Sequence, residues 1–162
     1  MATVRDIARQ VVEALPNDAD FTDLDEFLFE RAMVETGRTD FELGRTRRAE
    51  DLLQTAGETR LHALWSEHAA KAFLEALKTS HSGSPDDTRV FATAVAEAYV
   101  AFPTQGSISL PEMGDPTIRE VPVRTPRLPY RLLYDVVDGV LRVLWFTNNV
   151  TCYRNARGRA AP

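Results

Sequence analysis

Apolar residues recur every three or four positions just after the start of the chain, which is the period of an amphipathic helix. These positions are Val4, Ile7, Ala8, Val11, Val12 and Leu15. Thr3 is a favourable N-cap, and Leu15 precedes a proline, which disfavours helical backbone at Leu15. The pattern predicts a first helix between Thr3 and Leu15.

The same period returns after a short break and predicts a second helix. Its apolar positions are Leu24, Phe27, Leu28, Ala32 and Met33. Thr22 and Asp25 have the spacing of a capping box at its start. We expect this helix to run to about Glu35 and to end at Gly37, since glycine commonly terminates helices. A third, short helix is predicted over residues 47–54.

The rest of the chain predicts one strand, two helices and then three strands. The apolar run at residues 61–65 indicates a strand, Ser66 is a helix cap, and helical periods follow over 67–78 and 86–101. Segments 118–124, 130–136 and 140–146 are rich in valine, leucine and aromatic residues, and Asp138-Gly139 is a hairpin turn signal.

This order predicts an α+β fold. A helical hairpin packs on one face of a small antiparallel sheet, and an all-helical segment precedes it. The boundary between the two units falls near residues 55–58, which gives a helical segment over 1–58 and an α+β domain over 59–162.

Composition restricts the class of protein. The chain has 162 residues, and its apolar runs are far shorter than the ~20 residues needed to cross a bilayer. The N-terminus has no apolar signal stretch, so we expect a cytoplasmic protein that does not contact membranes. A single cysteine, Cys152, excludes a disulfide framework, and His62, His68 and His81 have no metal-ligand spacing. The sequence therefore predicts neither a metal nor a cofactor.

Charge is unevenly distributed along the chain. Residues 1–58 hold 14 acidic residues and 7 arginines, whereas residues 117–162 hold 8 arginines and 3 acids. The N-terminal segment contains no histidine and no glycine-rich phosphate loop, so nothing in it points to catalysis. Opposite charges at the two ends of one chain favour a contact between them.

The N-terminal segment carries a recognisable motif. Residues 11–54 include the run VVEALPNDADFTDLDEFLFERAMVETGRTDFELGR, which closes on Gly37, Asp40, Gly44 and Arg45. This run resembles small bacterial antitoxins. The resemblance implies an inhibitor that wraps a cognate toxin.

The C-terminal unit carries a second motif over residues 61–153. The phrases LWSEHAAKAFLEAL, PEMGDPTIREVPV and PYRLLYDVVDGVLRVLWF resemble the RelE/ParE toxin family. Together the two resemblances imply a fused type II toxin–antitoxin protein of bacterial stress response, in which the N-terminal segment neutralises a growth-inhibiting domain. Inhibition within one chain and exchange of inhibitors in a domain-swapped homodimer both stay open.

The resemblance also implies where the inhibitor binds. The second helix and the segment that follows it are expected to lie on the toxin's sheet, with contacts from Phe27, Met33, Asp40 and Glu42. Asp40 or Glu42 is expected to meet Arg124 and Arg131.

The toxin family divides between mRNA endoribonucleases that act on the ribosome and poisons of DNA gyrase. Arg131 matches the family's phosphate-contacting strand arginine, Arg124 is a nearby basic residue, and Tyr153 matches a C-terminal tyrosine of nuclease members. These three are the candidate catalytic residues. A purely structural alternative pairs Arg131 with Asp135 or with an acid of the N-terminal third.

This chain departs from the nuclease pattern at four positions. Asn148 and Asn149 stand where the family commonly has titrating residues, and Glu120 and Pro122 replace lysines. Phosphate cleavage depends on cations that stabilise the transition state. We therefore expect gyrase targeting rather than cleavage, while a masked endoribonuclease and a regulator that has lost toxicity stay open.

Overall fold

Six strands form one mixed sheet in the computed structural model of the chain, which describes residues 3–52, 63–80, 90, 93–95, 108–109, 114–125 and 128–148. The described helices are α1 (Val4–Ala14), α2 (Phe21–Glu42), α3 (Ala49–Leu52) and α4 (Glu67–Ser80). The strands are β1 (Thr46–Arg48), β2 (Ala63–Ser66), β3 (Ile108–Ser109), β4 (Arg119–Val123), β5 (Tyr130–Val137) and β6 (Val140–Thr147). The predicted α+β class is confirmed. The helix predicted over 86–101 lies largely outside the described residues.

The sheet has the strand order β1-β2-β6-β5-β4-β3. All neighbours are antiparallel except β2 and β6, which are parallel. The expectation of an antiparallel sheet is therefore wrong at this pair. Parallel neighbours need a long crossover connection, and α4 lies within the one that joins β2 to β6.

The N-terminal segment is not all-helical. Thr46–Arg48 forms a strand that pairs with β2, where a helix over 47–54 was expected. Only Ala49–Leu52 of that stretch is helical in the described residues. Without β1, strand β2 would be at the edge of the sheet with unpaired backbone groups, and pairing with them outweighs the weak local helix preference.

The helix caps agree with the sequence at α1 and differ at α2. Thr3 caps α1 in a capping box with Asp6, as its position predicts. In α2 the box is formed by Asp20 and Asp23 rather than by Thr22 and Asp25. Both pairs have the same spacing, so the local pattern cannot distinguish them.

The sheet has a hydrophobic core on each face. On one side α4 packs Ala69, Ala70 and Phe73 against the sheet. On the other side α1 and α2 pack Val11, Phe27 and Val34 against the sheet. The sheet is thus the middle of three layers.

A β-bulge in β6 shapes the face that carries α2. Leu133 pairs with Trp145, but the next residue, Tyr134, pairs with Val143, so Leu144 is the extra residue. Leu144 and Trp145 both pack on the α2 side. The predicted turn between β5 and β6 is confirmed, with positive φ at Asp138 and Gly139.

Candidate functional site: the surface between α2 and the sheet

Helix α2 packs on the sheet mainly over β6 and also over β2, and its side chains reach β5. Phe27 and Val34, seven residues apart and so on one side of the helix, pack with Ile118, Leu133 and Leu144. All five are at most 1% exposed. This apolar contact holds in place the charged residues that flank it.

Gly37 brings α2 unusually close to the sheet. It is buried in the helix interior, and a Cβ built on it would lie 2.8 Å from both the Cα and the carbonyl carbon of Leu144. The expectation that Gly37 ends α2 is therefore wrong, since the helix continues to Glu42. The glycine serves a close approach of helix and strand, which no other residue permits.

Arg131 of β5 is buried under α2 between two carboxylates. Its Nη2 pairs with Oε1 of Glu30 on α2, and its Nη1 lies 3.1 Å from Oε2 of Glu120 on β4. Arg131, Glu30 and Glu120 are each at most 5% exposed. A buried charge of this kind requires a close partner, because leaving it unpaired lowers the free energy of unfolding by roughly 3–5 kcal/mol.

Arg38 anchors the second half of α2 to the β3–β4 connection. Its Nη1 lies 2.7 Å from Asp115 and 2.9 Å from Glu35, and its Nη2 donates to Thr117 at 3.0 Å. Burial opposes ionisation of Asp115, but hydrogen bonds from Thr117 and Arg38 outweigh it and lower the pKa of Asp115 to about 2. Arg31 also reaches Asp115, at 3.4 Å.

Asp135 joins this cluster from within the sheet. It accepts two hydrogen bonds from Arg142 of β6, at 2.7 and 2.6 Å, and lies 3.3 Å from Nε of Arg38. The guanidinium of Arg142 also lies 5.0 Å from the ring centre of Phe41 on α2. Strand and helix are therefore linked by charges as well as by apolar packing.

Asp40 ties the end of α2 to the start of α4. Its Oδ2 accepts from the backbone N of His68 at 2.8 Å, and its Oδ1 pairs with Arg45 at 2.9 Å. Gly44 has φ of +68°, which turns the chain back, and the Arg45 carbonyl accepts from Glu67 N at 3.0 Å. Each residue of the antitoxin-like motif thus has its own structural role. Gly37 allows the close approach of α2 to the sheet, and Asp40 accepts a hydrogen bond from the first turn of α4. Gly44 forms the turn, and Arg45 forms the ion pair with Asp40.

His68 lies where α2, α4 and β6 meet. Its Nε2 is 3.3 Å from the sulfur of Met33, and its ring stacks on Trp145 with centroids 4.7 Å apart. Burial lowers the pKa of His68, Asp40 opposes that change, and Lys71 adds to it. The neutral imidazole is therefore favoured at this junction.

The two predicted catalytic residues that the structure describes, Arg131 and Arg124, differ in exposure. Arg131 is buried beneath α2, Arg124 is exposed just after β4, and Tyr153 lies outside the described residues. The pairing of Arg131 with an acid of the N-terminal third, the structural alternative, is confirmed by Glu30.

The predicted inhibitor contacts have different environments. Phe27 is buried against the sheet, Met33 contacts His68, Asp40 binds Arg45, and Glu42 is exposed. The expectation that Asp40 or Glu42 meets Arg131 is wrong. Glu30 takes that position because both acids lie about three helical turns further along α2.

Sequence reasoning missed Glu30, Arg38, Asp115 and the role of Asp135 at this surface. Helical spacing places Glu30 and Arg31 on the same side of α2 as Phe27 and Val34, and this spacing was the one available signal that the two charged residues face the sheet.

The described residues contain no cluster of three or more metal-ligating side chains and no helix with the length and hydropathy of a membrane span.

Comparison of the chain with protein-family models, with curated proteins and with solved structures finds no match.

Proposed function

We propose that the chain is a fused type II toxin–antitoxin protein whose helix α2 holds a RelE/ParE-like toxin unit inactive. The observation that carries the proposal is the buried pair between Glu30 and Arg131. Glu30 belongs to the antitoxin-like segment, and Arg131 is the toxin-like arginine. The inhibitor helix thus covers the residue that resembles the toxin's phosphate contact.

The surroundings of Arg131 favour action by binding over RNA cleavage. Glu120, within the toxin-like unit itself, also pairs with Arg131 at 3.1 Å. Removing α2 therefore leaves this guanidinium still paired with one carboxylate. A phosphate-cleaving site needs cations free to stabilise the transition state, so the unit better fits a toxin that binds DNA gyrase.

Growth of bacteria that express the full chain tests the proposal. We expect no arrest with the natural chain, and arrest with Gly37→Leu or Glu30→Arg, because each variant detaches α2 from the sheet. Glu75→Arg, an exposed charge reversal on α4, is the matched control and is expected to be harmless. Circular dichroism of each purified variant checks that the sheet is retained.

Two further assays identify the target of a released toxin. Gyrase-dependent supercoiling is expected to fall with Gly37→Leu, and mRNA on ribosomes is expected to stay intact. If the Gly37→Leu protein does cleave mRNA, and adding Arg131→Ala abolishes the cleavage, the chain is a masked endoribonuclease instead. Normal growth with both folded variants would contradict a live toxin and leave a regulator that has lost toxicity.

A further inference from the structure

The side of α2 that faces away from the sheet carries an apolar stripe. Its members follow one another at intervals of mostly three or four residues: Phe21, Asp25, Phe29, Ala32, Thr36 and Leu43. Phe21 is 90% exposed, Phe29 52% and Leu43 62%. The Thr36 hydroxyl donates to the Ala32 carbonyl at 2.9 Å, so it is already satisfied within the helix. Asp25 is the one charged member of the stripe.

Helix α2 carries apolar side chains on two sides, because Phe27 and Val34 are buried against the sheet and the stripe is exposed. Charged residues of α2 such as Glu30, Arg31 and Asp40 are buried, and each forms an ion pair with a residue of the sheet or of a neighbouring loop. The large apolar side chains of the stripe, Phe21, Phe29 and Leu43, lie on the outside. An exposed apolar surface of this kind marks an interaction site.

The charges around the stripe indicate which partner covers it. Acidic residues precede and begin α2, at Asp18 and Asp23 as well as Asp25. Three exposed arginines follow its end, Arg45, Arg47 and Arg48, and they outnumber the one exposed acid there, Glu42, although Arg45 also pairs with Asp40. The two ends of the stripe therefore have opposite charge. A surface with this polarity is complementary to itself when a second copy is turned around by a two-fold axis.

We infer that the stripe is a homodimer interface in which the α2 helices of two copies pack antiparallel. The 22-residue helix is about 33 Å long, and the small residues Ala32 and Thr36 near its middle allow close helix–helix approach. Phe29 packs across the axis, and the acidic end of each helix meets the arginines of the other copy. The inference does not depend on the proposed toxin function, because it uses only the outer side of α2.

Sedimentation equilibrium of the full chain measures the association. We expect a mass twice the 18.1 kDa of one chain, with a dissociation constant that rises as salt is added. Phe29→Lys is expected to raise that constant at least about tenfold, as loss of a central aromatic contact does. The control Val140→Lys changes an apolar residue that is 38% exposed on the β5–β6 hairpin, and is expected to leave the constant unchanged.

A charge variant tests the antiparallel arrangement separately. Asp25→Lys is expected to weaken the dimer further, because it sets like charges against Arg45 of the second copy. Asp138→Lys in the hairpin turn is its control. A monomer at all concentrations, a dimer that Phe29→Lys does not weaken, or a dimer that Asp25→Lys strengthens would each overturn the inference.

Discussion

Gly37 of α2 lies directly against the backbone of Leu144, the extra residue of the bulge in β6. The bulge turns Leu144 towards the helix, and the missing side chain of Gly37 gives it room. Ser66 of β2 holds the same carbonyl of Leu144 from the other side, at 3.1 Å. Helix, central strand and neighbouring strand are thus joined at one peptide group.

Gly37→Ala is expected to destabilise the protein by about 1–3 kcal/mol, as overpacking does. Within an ordinary helix the same change stabilises by about 1 kcal/mol, so the sign of the effect is diagnostic. Urea unfolding measures it. Glu13→Ala, at an exposed position of α1, is the control and is expected to change the free energy of unfolding by less than about 0.5 kcal/mol. A more stable Gly37→Ala protein would contradict the close contact.

Glu30→Ala is expected to cost about 3 kcal/mol in unfolding free energy. This is the lower end of the range for breaking a buried pair, because Glu120 still holds Arg131. Glu75→Ala is the matched control, since Glu75 pairs with Lys78 in water, with side chains 70% and 73% exposed. Its cost is expected to be below about 1 kcal/mol. Equal costs for the two variants would show that Glu30 contributes no more than a surface pair.

Asp115 is expected to make stability fall in acid. Its folded-state pKa of about 2 lies below the ordinary 3.8, so its contribution is complete above pH 3.8 and is lost as the pH falls towards 2. The difference in unfolding free energy between the natural chain and Asp115→Asn measures this contribution. That difference is expected to shrink between pH 4.5 and pH 2, and a constant difference would contradict the assignment.

His68 is expected to make a second pH-dependent contribution at higher pH. Its pKa is below the ordinary 6.5 when α2 is docked, so the contribution is complete above pH 6.5 and is lost as the pH falls below it. NMR titration of the ring and quenching of the stacked Trp145 both report its protonation. His68→Phe keeps the stacking and removes the titration. A midpoint at or above 6.5 would show that Asp40 outweighs burial.

Much of the fold follows from local pattern, and the exceptions have a common cause. The strands β4, β5 and β6 and the Asp138-Gly139 turn are read directly from alternation and turn chemistry. The end of α2 is not, because a glycine that ends a helix and a glycine that admits a strand look the same in sequence. Only the position of Leu144, distant in the chain, decides between them.

The candidate site is less accessible to sequence reasoning than the fold. The family resemblance points to Arg131, but its partner Glu30 lies 101 residues away in the chain. In the sequence alone, Glu30 cannot be distinguished from a solvent-exposed glutamate, because only the position of the sheet shows which side of α2 is buried. The bulge at Leu144 and the pairing of β1 with β2 also arise only from long-range contacts.

The order of the elements along the chain has a consequence for biosynthesis. Helix α2 is translated before β5 and β6, which complete the surface it covers and which end at Thr147. A chain emerges from the ribosome N-terminus first. Helix α2 is therefore already present in the nascent chain when the strands that form its binding surface are made.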